Sequence, residues 1–403
     1  MKVCVIGNGG REHALAWRLS ISPSVTKVYA IPGSAAMSDC AELVGIDWQQ
    51  SDHLIRFLKD NHVDLVVVGP EAPLVAGLAD VLNAAGIPVF GPSKAAAQLE
   101  GSKVFAKDLM KKYNIPTAAY GVFHKVDEAK EFIAQTGAPI VVKADGLAAG
   151  KGVVVAMTVE EANAAVEDML SGNRFGDAGS TVVIEEFMEG EEASLLAFVD
   201  GKTVVPMIAS QDHKRIFDGD KGPNTGGMGT YAPAPVLTDT LRDEAMKTIL
   251  EPMVAAMQKE GMPYVGCLYA GLMITPQGPK VVEFNARFGD PETQVVLPLL
   301  DSDLGQIMMA CATGTLTADM VKWKDSSAAC VILASKGYPE TSSKGDVIHG
   351  DIKQHDTTIV FHSGTKLVGD EYVTNGGRVL GVVGLGKDLR TALDRAYGRI
   401  EHI

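Results

Sequence analysis

The sequence predicts a multidomain protein of mixed α/β and α+β class. Residues 1–93 alternate short apolar strands with helical patterns, which is typical of a parallel sheet covered by helices on both faces. A glycine-rich loop at 146–152 lies between two strand patterns, and strands and turns dominate again from residue 326. The length of 403 residues suits about two to four domains with ample buried core.

The first predicted domain covers residues 1–103. Its strands are runs of Val and Ile bounded by turn residues, and they are expected at 3–6, 27–31, 64–68 and 87–90. Helical periodicity is expected at 12–21, 52–61 and 73–85, and again at 94–113 after a Gly-Pro-Ser break.

The second predicted domain covers residues 104–325 and contains a small lid at about 117–190. In the lid, Thr158 and Glu161 form a capping box for a helix that ends at Gly172. The strands of the lid are expected at 139–144, 153–156 and 181–184, and those of the larger block at 193–199, 203–208, 268–274 and 280–284. Residues 210–235, rich in Gly, Asp and Pro, are expected to form a long functional loop.

The third predicted domain, residues 326–403, is mainly β. Strands are expected at 328–334, 357–362 and 378–383. The last segment is predicted to be an amphipathic helix because its apolar residues recur at helical spacing. These residues are Leu389, Leu393, Ala396, Tyr397 and Ile400.

Composition excludes several classes of protein. A net charge of −14, with no long basic run, argues against a nucleic-acid surface. Five scattered cysteines without a Cys-x-x-Cys pair indicate reduced thiols rather than a disulfide framework or a zinc site. The sequence has no signal-peptide pattern at its start and no apolar stretch near 18 residues, so we expect a cytoplasmic protein without a membrane span.

The most informative segment is 281–292, Val-Val-Glu-Phe-Asn-Ala-Arg-Phe-Gly-Asp-Pro-Glu. Glu283 and Asn285 share one face of the predicted strand, and their oxygens suit Mg²⁺, particularly when nucleotide phosphates complete the coordination. Arg287 continues that face if the strand persists, and it can bind phosphate or carboxylate through two donors. The alternative is the polar face of an amphipathic strand. The turn that follows adds two carboxylates without an obvious structural need, which favours a functional site.

A nucleotide site is indicated further upstream. Lys143 stands in an apolar strand, so it is expected to point into a cleft, and the loop 146–152 can bring backbone N–H groups and Lys151 close to phosphates. The loop does not fit a Walker A motif and by itself also suits a plain hairpin. The acidic run 185–192 follows a strand at the junction of lid and body; its alternative is a solvated surface.

The N-terminal loop, Gly7-Asn8-Gly9-Gly10-Arg11, permits two interpretations. A nicotinamide-dependent oxidoreductase is disfavoured because Glu12 replaces the third glycine of the dinucleotide fingerprint and no acid ends the next strand. The alternative is a monophosphate, which a helix start with free N–H groups still binds well. Gly69-Pro70-Glu71, at the end of another parallel strand, is expected in the same crevice. His13 and His213 receive no role.

Together these motifs resemble the ATP-grasp superfamily, and within it the ligases of purine biosynthesis, over essentially the whole chain. The resemblance is most specific at Pro223-Asn224-Thr225-Gly226-Gly227-Met228-Gly229 and at Arg287-Phe288-Gly289-Asp290-Pro291-Glu292. It implies an ATP-grasp fold with a Rossmann-like N-terminal domain, a small lid and a mainly β C-terminal domain. It further implies that the family usually continues for about twenty residues beyond residue 403.

The resemblance also implies a set of site residues. Lys103 and Lys143 would contact ATP phosphates, Glu185 and the backbone of 186–188 would hold adenine, and Glu192 would hold ribose. The full ATP-binding set is Lys103, Lys143, Gly146, Gly150, Lys151, Gly152, Glu185, Glu186, Phe187, Met188 and Glu192. The substrate-binding set is Gly9, Gly10, Arg11, Pro70, Glu71, Asp212, Lys214, Asn224, Thr225, Arg287, Gly289 and Asp290. Glu283 and Asn285 would bind Mg²⁺ or Mn²⁺, and Arg287 and Lys143 would be catalytic.

The activity that the resemblance implies is ATP-dependent ligation of glycine to 5-phosphoribosylamine through glycyl phosphate, by a monomer that uses small-molecule substrates only. One departure concerns the metal, since Tyr269-Ala270-Gly271-Leu272-Met273 lacks the third, acidic ligand of many relatives. The alternatives are another ATP-grasp carboxylate–amine ligase, which should lack the 287–292 run, and a nucleotide-sensing module, which could lack Arg287 or the metal pair.

Overall fold

The N-terminal region forms a five-stranded parallel sheet in the computed structural model, which describes residues 1–148, 152–172 and 175–403. Its strands are β1 (Lys2–Gly7), β2 (Lys27–Pro32), β3 (Glu42–Leu43), β4 (Leu65–Val68) and β5 (Val89–Phe90). The strand order is β3-β2-β1-β4-β5, with every neighbouring pair parallel. β4 is buried along its whole length, as a strand covered by helices on both faces should be. The predicted parallel sheet is confirmed.

The helices predicted at 12–21 and 52–61 are confirmed, with ends that shift by one or two residues, whereas the next predicted helix is divided. The helices of this region are α1 (Gly10–Ser20), α2 (Ser51–Asp60), α3 (Glu71–Ala76) and α4 (Leu78–Ala84). The single helix predicted at 73–85 is wrong because Gly77 adopts a left-handed conformation, φ 96°, that ends α3 before α4 begins.

The continuous helix predicted at 94–113 is also wrong. The segment contains α5 (Gln98–Gly101) and α6 (Lys103–Lys112). Between them Ser102 is extended, and its hydroxyl accepts a hydrogen bond from Phe105 N at 3.1 Å. A serine inside a helical pattern is therefore the N-cap of a new helix.

The lid is a four-stranded antiparallel sheet packed against two helices. Its elements are β6 (Tyr120–Phe123), α7 (Val126–Thr136), β7 (Ile140–Ala144), β8 (Val153–Ala156), α8 (Val159–Ser171) and β9 (Val182–Glu186). The strand order is β6-β9-β7-β8. The predicted cap of α8 is confirmed, since the Thr158 hydroxyl accepts a hydrogen bond from Glu161 N at 3.2 Å. β6 and α7 were not predicted.

The central region carries a second antiparallel sheet and four helices. Its strands are β10 (Glu191–Asp200), β11 (Val204–Pro206), β12 (Gln211–Phe217), β13 (Lys221–Ala232), β14 (Val265–Thr275) and β15 (Gly278–Asn285). The sheet order is β11-β10-β14-β15. The helices are α9 (Asp239–Ala245), which continues through a π-helical turn into α10 (Glu251–Lys259), α11 (Thr293–Val296) and α12 (Leu304–Thr313).

The long loop predicted at 210–235 is wrong, because β12 and β13 form an antiparallel hairpin there. The turn runs through Gly219 and Asp220, both at positive φ. β13 contains four glycines and few β-branched residues, so its composition resembles a loop. Pairing with a neighbouring strand, rather than intrinsic propensity, makes this segment a strand.

The C-terminal region is mainly β, as predicted. It contains β16 (Ser327–Ala334), β17 (Lys344–Val347), β18 (Thr358–His362), β19 (Thr365–Val368), β20 (Glu371–Asn375), β21 (Arg378–Gly386) and α13 (Leu389–Ile400). One sheet has the order β12-β13-β16-β21-β18 and so joins the central hairpin to the C-terminal strands. A small sheet, β17-β20-β19, lies beside it. The hairpin is thereby fixed against the C-terminal region.

The five cysteines are free thiols, and four of them are buried. Among the described residues, no helix combines the length and the apolarity needed to cross a bilayer.

Candidate active site

Four cationic side chains from distant parts of the sequence interact electrostatically with the carboxylate of Glu283 and stabilise its negative charge. Lys103 begins α6, Lys143 lies in β7, Lys214 lies in β12 and Arg287 follows β15. Burial by itself would raise the pKa of Glu283, but these four cations hold that pKa below its ordinary value. Glu283 is therefore an ionised carboxylate surrounded by positive charge.

Glu283 and Asn285 stand at the end of β15, where the sheet register places them opposite Gly271 and Tyr269 of β14. Asn285 is buried, with 7% of its surface exposed. An ionised carboxylate beside an amide oxygen is a hard-oxygen donor set that fits Mg²⁺ or Mn²⁺. Because β15 ends at Asn285, the strand does not persist to Arg287, and the condition under which Arg287 would continue the same face is not met.

Lys103 holds the start of the glycine-rich loop. Its Nζ donates hydrogen bonds to the carbonyl oxygens of Ala144, at 2.8 Å, and Gly146, at 3.0 Å. At the other end of the loop, the carbonyl of Gly152 accepts a hydrogen bond from Ala144 N at 2.8 Å. The predicted phosphate contacts Gly150 and Lys151 lie outside the described residues.

Lys143 is buried and pairs with Glu185, and its predicted orientation into a cleft stays a prediction. The Lys143 Nζ lies 2.5 Å from Glu185 Oε2, and Lys107 forms a second ion pair with the same carboxylate. All three side chains are almost fully buried. Lys107 was missed in the sequence, although its position four residues after Lys103 on one helix face was the available signal. The predicted contact of Glu185 with adenine stays a prediction.

Replacing Glu185 with Gln should lower the free energy of unfolding by about 3–5 kcal/mol, because two buried lysines then lose their counter-ion. Urea denaturation at pH 7 measures this. The matched control is Glu189→Gln, an exposed position on the loop after β9, which should stay within about 0.5 kcal/mol of wild type. Equal stability of the two variants would contradict the assignment.

The segment after β9 connects the lid to the central sheet. Glu186 and Ala119 exchange two hydrogen bonds, at 2.9 Å through Glu186 N and at 3.2 Å through its Oε1. Phe187 and Met188 are half-buried, and Glu192 is exposed at the start of β10. Their predicted contacts with adenine and ribose stay predictions.

Arg287 connects two acidic side chains of the N-terminal half. Its Nη2 donates to Glu100 Oε2 at 3.1 Å, and its Nε lies 3.4 Å from Glu71 Oε2. Burial raises the pKa of Glu100, an effect that Arg287 opposes. Burial would also raise the pKa of Glu71, but Arg287 and Arg11 lower it. Glu100 was missed because nothing in its helical sequence context indicates a buried partner.

The turn at 288–292 has structural contacts that the sequence did not reveal. Asp290 Oδ2 accepts a hydrogen bond from Arg11 N at 3.3 Å, and its Oδ1 accepts from Gln294 Nε2 at 2.7 Å. Glu292 Oε1 accepts from the Tyr269 hydroxyl at 2.9 Å. Gly289 leaves no room for a side chain, since a Cβ there would lie 2.2 Å from Glu292 Oε2. The expectation that these carboxylates lack a structural need is wrong.

The N-terminal glycine loop is filled by the side chain of Glu12. A Cβ at Gly7 or at Gly69 would lie 2.4 or 2.5 Å from Glu12 atoms. Glu12 Oε1 accepts a hydrogen bond from Gly9 N at 3.0 Å, and Arg11 Nε pairs with Glu12 Oε2 at 2.5 Å. Two N–H groups at this helix start, those of Gly9 and Arg11, are thus already bonded to carboxylates. The buried negative charge of Glu12 would repel the pyrophosphate of a dinucleotide, which further disfavours the oxidoreductase interpretation.

Other predicted substrate residues lie close to this loop or on the hairpin. Gly10 approaches the C-terminal region, where a Cβ would meet Ser363 Oγ at 2.3 Å. Pro70 precedes α3, and Glu71 begins it. On the hairpin, the Thr225 hydroxyl donates to the Lys214 carbonyl at 2.7 Å and accepts from Gly227 N at 3.0 Å, so it braces the backbone. Asn224 is exposed.

His13 links helix α1 to strand β18 and to Asp39. Its Nδ1 accepts a hydrogen bond from His362 N at 3.0 Å, and its Nε2 lies 3.3 Å from Asp39 Oδ1. The acceptor role of Nδ1 leaves the ring proton on Nε2, facing Asp39. Although Cys40 also lies close enough to share a metal ion with His13 and Asp39, this protonation disfavours a metal there.

His362 predicts a pH dependence of stability. Burial, with a smaller effect from His13, lowers its pKa from 6.5 to about 4. The unfolded chain therefore binds more protons between these values, and stability is lost as the pH falls through 6.5, by at most about 3 kcal/mol near pH 4. Urea unfolding from pH 7 to pH 4.5 measures the slope. His362→Gln should flatten it and the exposed control His53→Gln should not; an unchanged slope in His362→Gln would refute the cause.

Three family profiles cover most of the chain. They are described as phosphoribosylglycinamide synthetase N domain, at residues 1–100, ATP-grasp (A) domain, at 101–293, and C domain, at 328–403. Among curated relatives, the phosphoribosylamine–glycine ligase of Halalkalibacterium halodurans is 53% identical over 403 residues, covering 100% of this chain and 94% of the relative. The ligase of Escherichia coli O157:H7 is 53% identical over 408 residues, covering 100% and 95%.

Solved structures agree with this result. The phosphoribosylamine–glycine ligase of Thermotoga maritima is 33% identical, with a TM-score of 0.86, covering 100% of this chain and 97% of that one. Biotin carboxylase of Campylobacter jejuni has a TM-score of 0.76 at 15% identity, covering 100% and 91%, which shows a common fold only. The predicted ATP-grasp fold is confirmed. The chain belongs to the phosphoribosylglycinamide synthetase family of the ATP-grasp superfamily.

Proposed function

We propose that this chain ligates glycine to 5-phosphoribosylamine at the expense of ATP. A glycine carboxylate oxygen attacks the γ-phosphorus of ATP, and the bond to the β-phosphate oxygen breaks to release ADP. The amine nitrogen of phosphoribosylamine then attacks the acyl carbon of glycyl phosphate, loses a proton and expels phosphate. The products are glycinamide ribonucleotide, ADP and phosphate.

One observation carries the proposal: an ionised Glu283 stands among Lys103, Lys143, Lys214 and Arg287. Phosphoryl transfer requires positioning and neutralisation of charge more than a protein nucleophile. A preorganised set of cations beside a hard-oxygen ligand pair meets that requirement.

Family membership supports the individual roles. Lys103 and Lys143 would neutralise the ATP phosphates while the loop from Gly146 to Gly152 closes over them. Glu283 and Asn285 would hold Mg²⁺ or Mn²⁺, which supplies charge neutralisation at the transferring phosphoryl group. Arg287 would stabilise the negative charge that develops between the glycine carboxylate and that group.

The phosphoribosylamine would bind between the N-terminal loop and the turn after β15. There the residues predicted for this substrate meet through hydrogen bonds of Arg11 to Asp290 and to the Phe288 carbonyl, the latter at 3.3 Å. Since Glu12 and Asp290 already accept the nearest N–H groups, hydroxyl groups of the ribose suit this crevice better than its phosphate does.

An assay of ADP release tests the function. The complete mixture contains enzyme, ATP, Mg²⁺, glycine and phosphoribosylamine, and each component is omitted in turn. We expect sustained ADP release only in the complete mixture, with glycinamide ribonucleotide identified by mass. Sustained release without glycine, or with bicarbonate in its place, would favour another carboxylate substrate and refute the proposal.

A further inference from the structure

The first turn of α6 is bonded to an acidic side chain of the lid. Asp145 directly follows β7, and its Oδ1 accepts hydrogen bonds from Lys103 N at 2.6 Å and from Val104 N at 3.3 Å. The same oxygen accepts from Gly146 N at 2.9 Å, and Asp145 N donates to the Thr181 carbonyl at 2.9 Å. One carboxylate oxygen therefore joins α6 to the base of the glycine-rich loop.

The helix α6 also has a local cap of its own. The hydroxyl of Ser102 accepts a hydrogen bond from Phe105 N, and such a side chain is the usual means of satisfying an N–H group at a helix start. Asp145 comes from a different structural element and accepts from two further N–H groups of the same turn. These added bonds fix the position of the helix relative to the loop.

The side chain of Lys103 binds the same segment in return. Its ammonium donates to the carbonyl oxygens of Ala144 and Gly146, the two residues that flank Asp145. An ammonium group has three N–H donors, so these two bonds leave one donor for a ligand. Because residues 144–146 hold both the backbone and the side chain of Lys103, the position of this ammonium is set by the loop base.

The ammonium held in this way belongs to the candidate active site. Lys103 is one of the four cations that lower the pKa of Glu283, and it also interacts electrostatically with Lys143. It therefore lies among the residues predicted to bind the metal and the phosphates. A displacement of about 1 Å in such a site can cost about a hundredfold in rate, so the residue that fixes the ammonium matters for its function.

We propose that Asp145 is a positioning residue for the phosphate groups of ATP. This inference rests on the proposed function. Asp145 acts through Lys103, whose backbone it binds, and through the base of loop 146–152. Without an acceptor at this point, the first turn of α6 is no longer bonded to the loop base, and the Lys103 ammonium loses its fixed position. Binding of the adenosine part should not change, because its predicted contacts lie at residues 185–192.

Equilibrium binding tests the proposal, with a non-hydrolysable MgATP analogue and adenosine as separate ligands. Asp145→Ala should raise the Kd of the analogue by about tenfold or more, since charged hydrogen bonds are lost, and leave the Kd of adenosine within about twofold. Asp145→Asn keeps one acceptor oxygen and should restore the Kd of the analogue to within about threefold of the wild-type value.

Two further variants separate position from charge and from helix stability. Asp145→Glu keeps the charge but displaces the carboxylate by one methylene group, so it should weaken binding of the analogue as Asp145→Ala does. It also tests the proposal if the alanine variant does not fold. Ser102→Ala, the control, removes the local cap of α6 and keeps the acceptor at Asp145. It should lower the Tm and leave both Kd values unchanged.

Several results would overturn the inference. They are normal binding of the analogue by Asp145→Ala or Asp145→Glu, an equal loss for adenosine, and a failure of Asp145→Asn to restore binding, which would assign the effect to charge. An equal loss in Ser102→Ala would do the same, because a weaker helix would then explain it. Failure of the proposed function is seen separately, as ADP release by the wild type that does not depend on glycine, since the binding measurements contain no glycine.

Discussion

Replacing Glu283 with Gln and Asn285 with Ala together should reduce metal-dependent turnover by on the order of a hundredfold or more while the protein stays folded. The two side chains are the only hard-oxygen pair that the sequence predicts on β15, and the four surrounding cations keep Glu283 ionised. A metal ion held there contributes several kcal/mol of charge stabilisation to phosphoryl transfer. Steady-state ADP release across a Mg²⁺ titration measures the loss.

The control for this double variant is Glu244→Gln, an exposed acid beside the start of the same strand. It should turn over like the wild type at every Mg²⁺ concentration. Thermal unfolding of all three proteins separates a lost ligand from a lost fold. Near-normal turnover of the folded double variant at ordinary Mg²⁺ would remove the metal assignment.

Period and composition predicted much of the fold. Strand β4 is a short run of apolar residues that is buried at every position. Such runs, bounded by turn residues, are typical of buried parallel strands, so the N-terminal sheet could be predicted from the sequence. β13 could not, because its glycines have low strand propensity and it is a strand only through pairing with β12 and β16. The breaks at Gly77 and Ser102 depend on single residues that a helical pattern tolerates.

The site divides in a similar way. Residues 283–292 form one contiguous motif, so chemistry and resemblance both located them. Other residues of the site could not be predicted from the sequence. Glu100 pairs with Arg287, and Lys107 pairs with Glu185, only after folding has buried these side chains together. A buried charge needs a partner of opposite charge because its desolvation costs free energy. The two partners are far apart in the sequence, so no periodic pattern predicts that they pair.

One substitution can separate the structural contacts of Arg287 from the catalytic task that we propose for it. Its guanidinium spans Glu100 and Glu71, and its charge also lowers the pKa of Glu283. Lysine keeps the positive charge but lacks the planar fork that reaches two carboxylates at once. The proposed catalytic task needs a preorganised donor pair at the site of developing charge, whereas the structural task needs a counter-ion for the buried Glu100.

Arg287→Lys should therefore lower turnover by roughly 10²-fold, the effect of removing one preorganised charge-stabilising group, and leave ATP affinity nearly unchanged. ATP affinity is preserved because the predicted adenine, ribose and phosphate contacts belong to other residues. Nucleotide binding, turnover and thermal unfolding are measured on the same preparation, with Arg242→Lys, on the surface of α9, as the control. Some loss of thermal stability is expected from Glu100, so turnover is expressed per folded molecule. If the Arg287→Lys protein unfolds at a lower temperature than the wild type but turns over normally when folded, Arg287 stabilises the fold. Other residues would then stabilise the transition state.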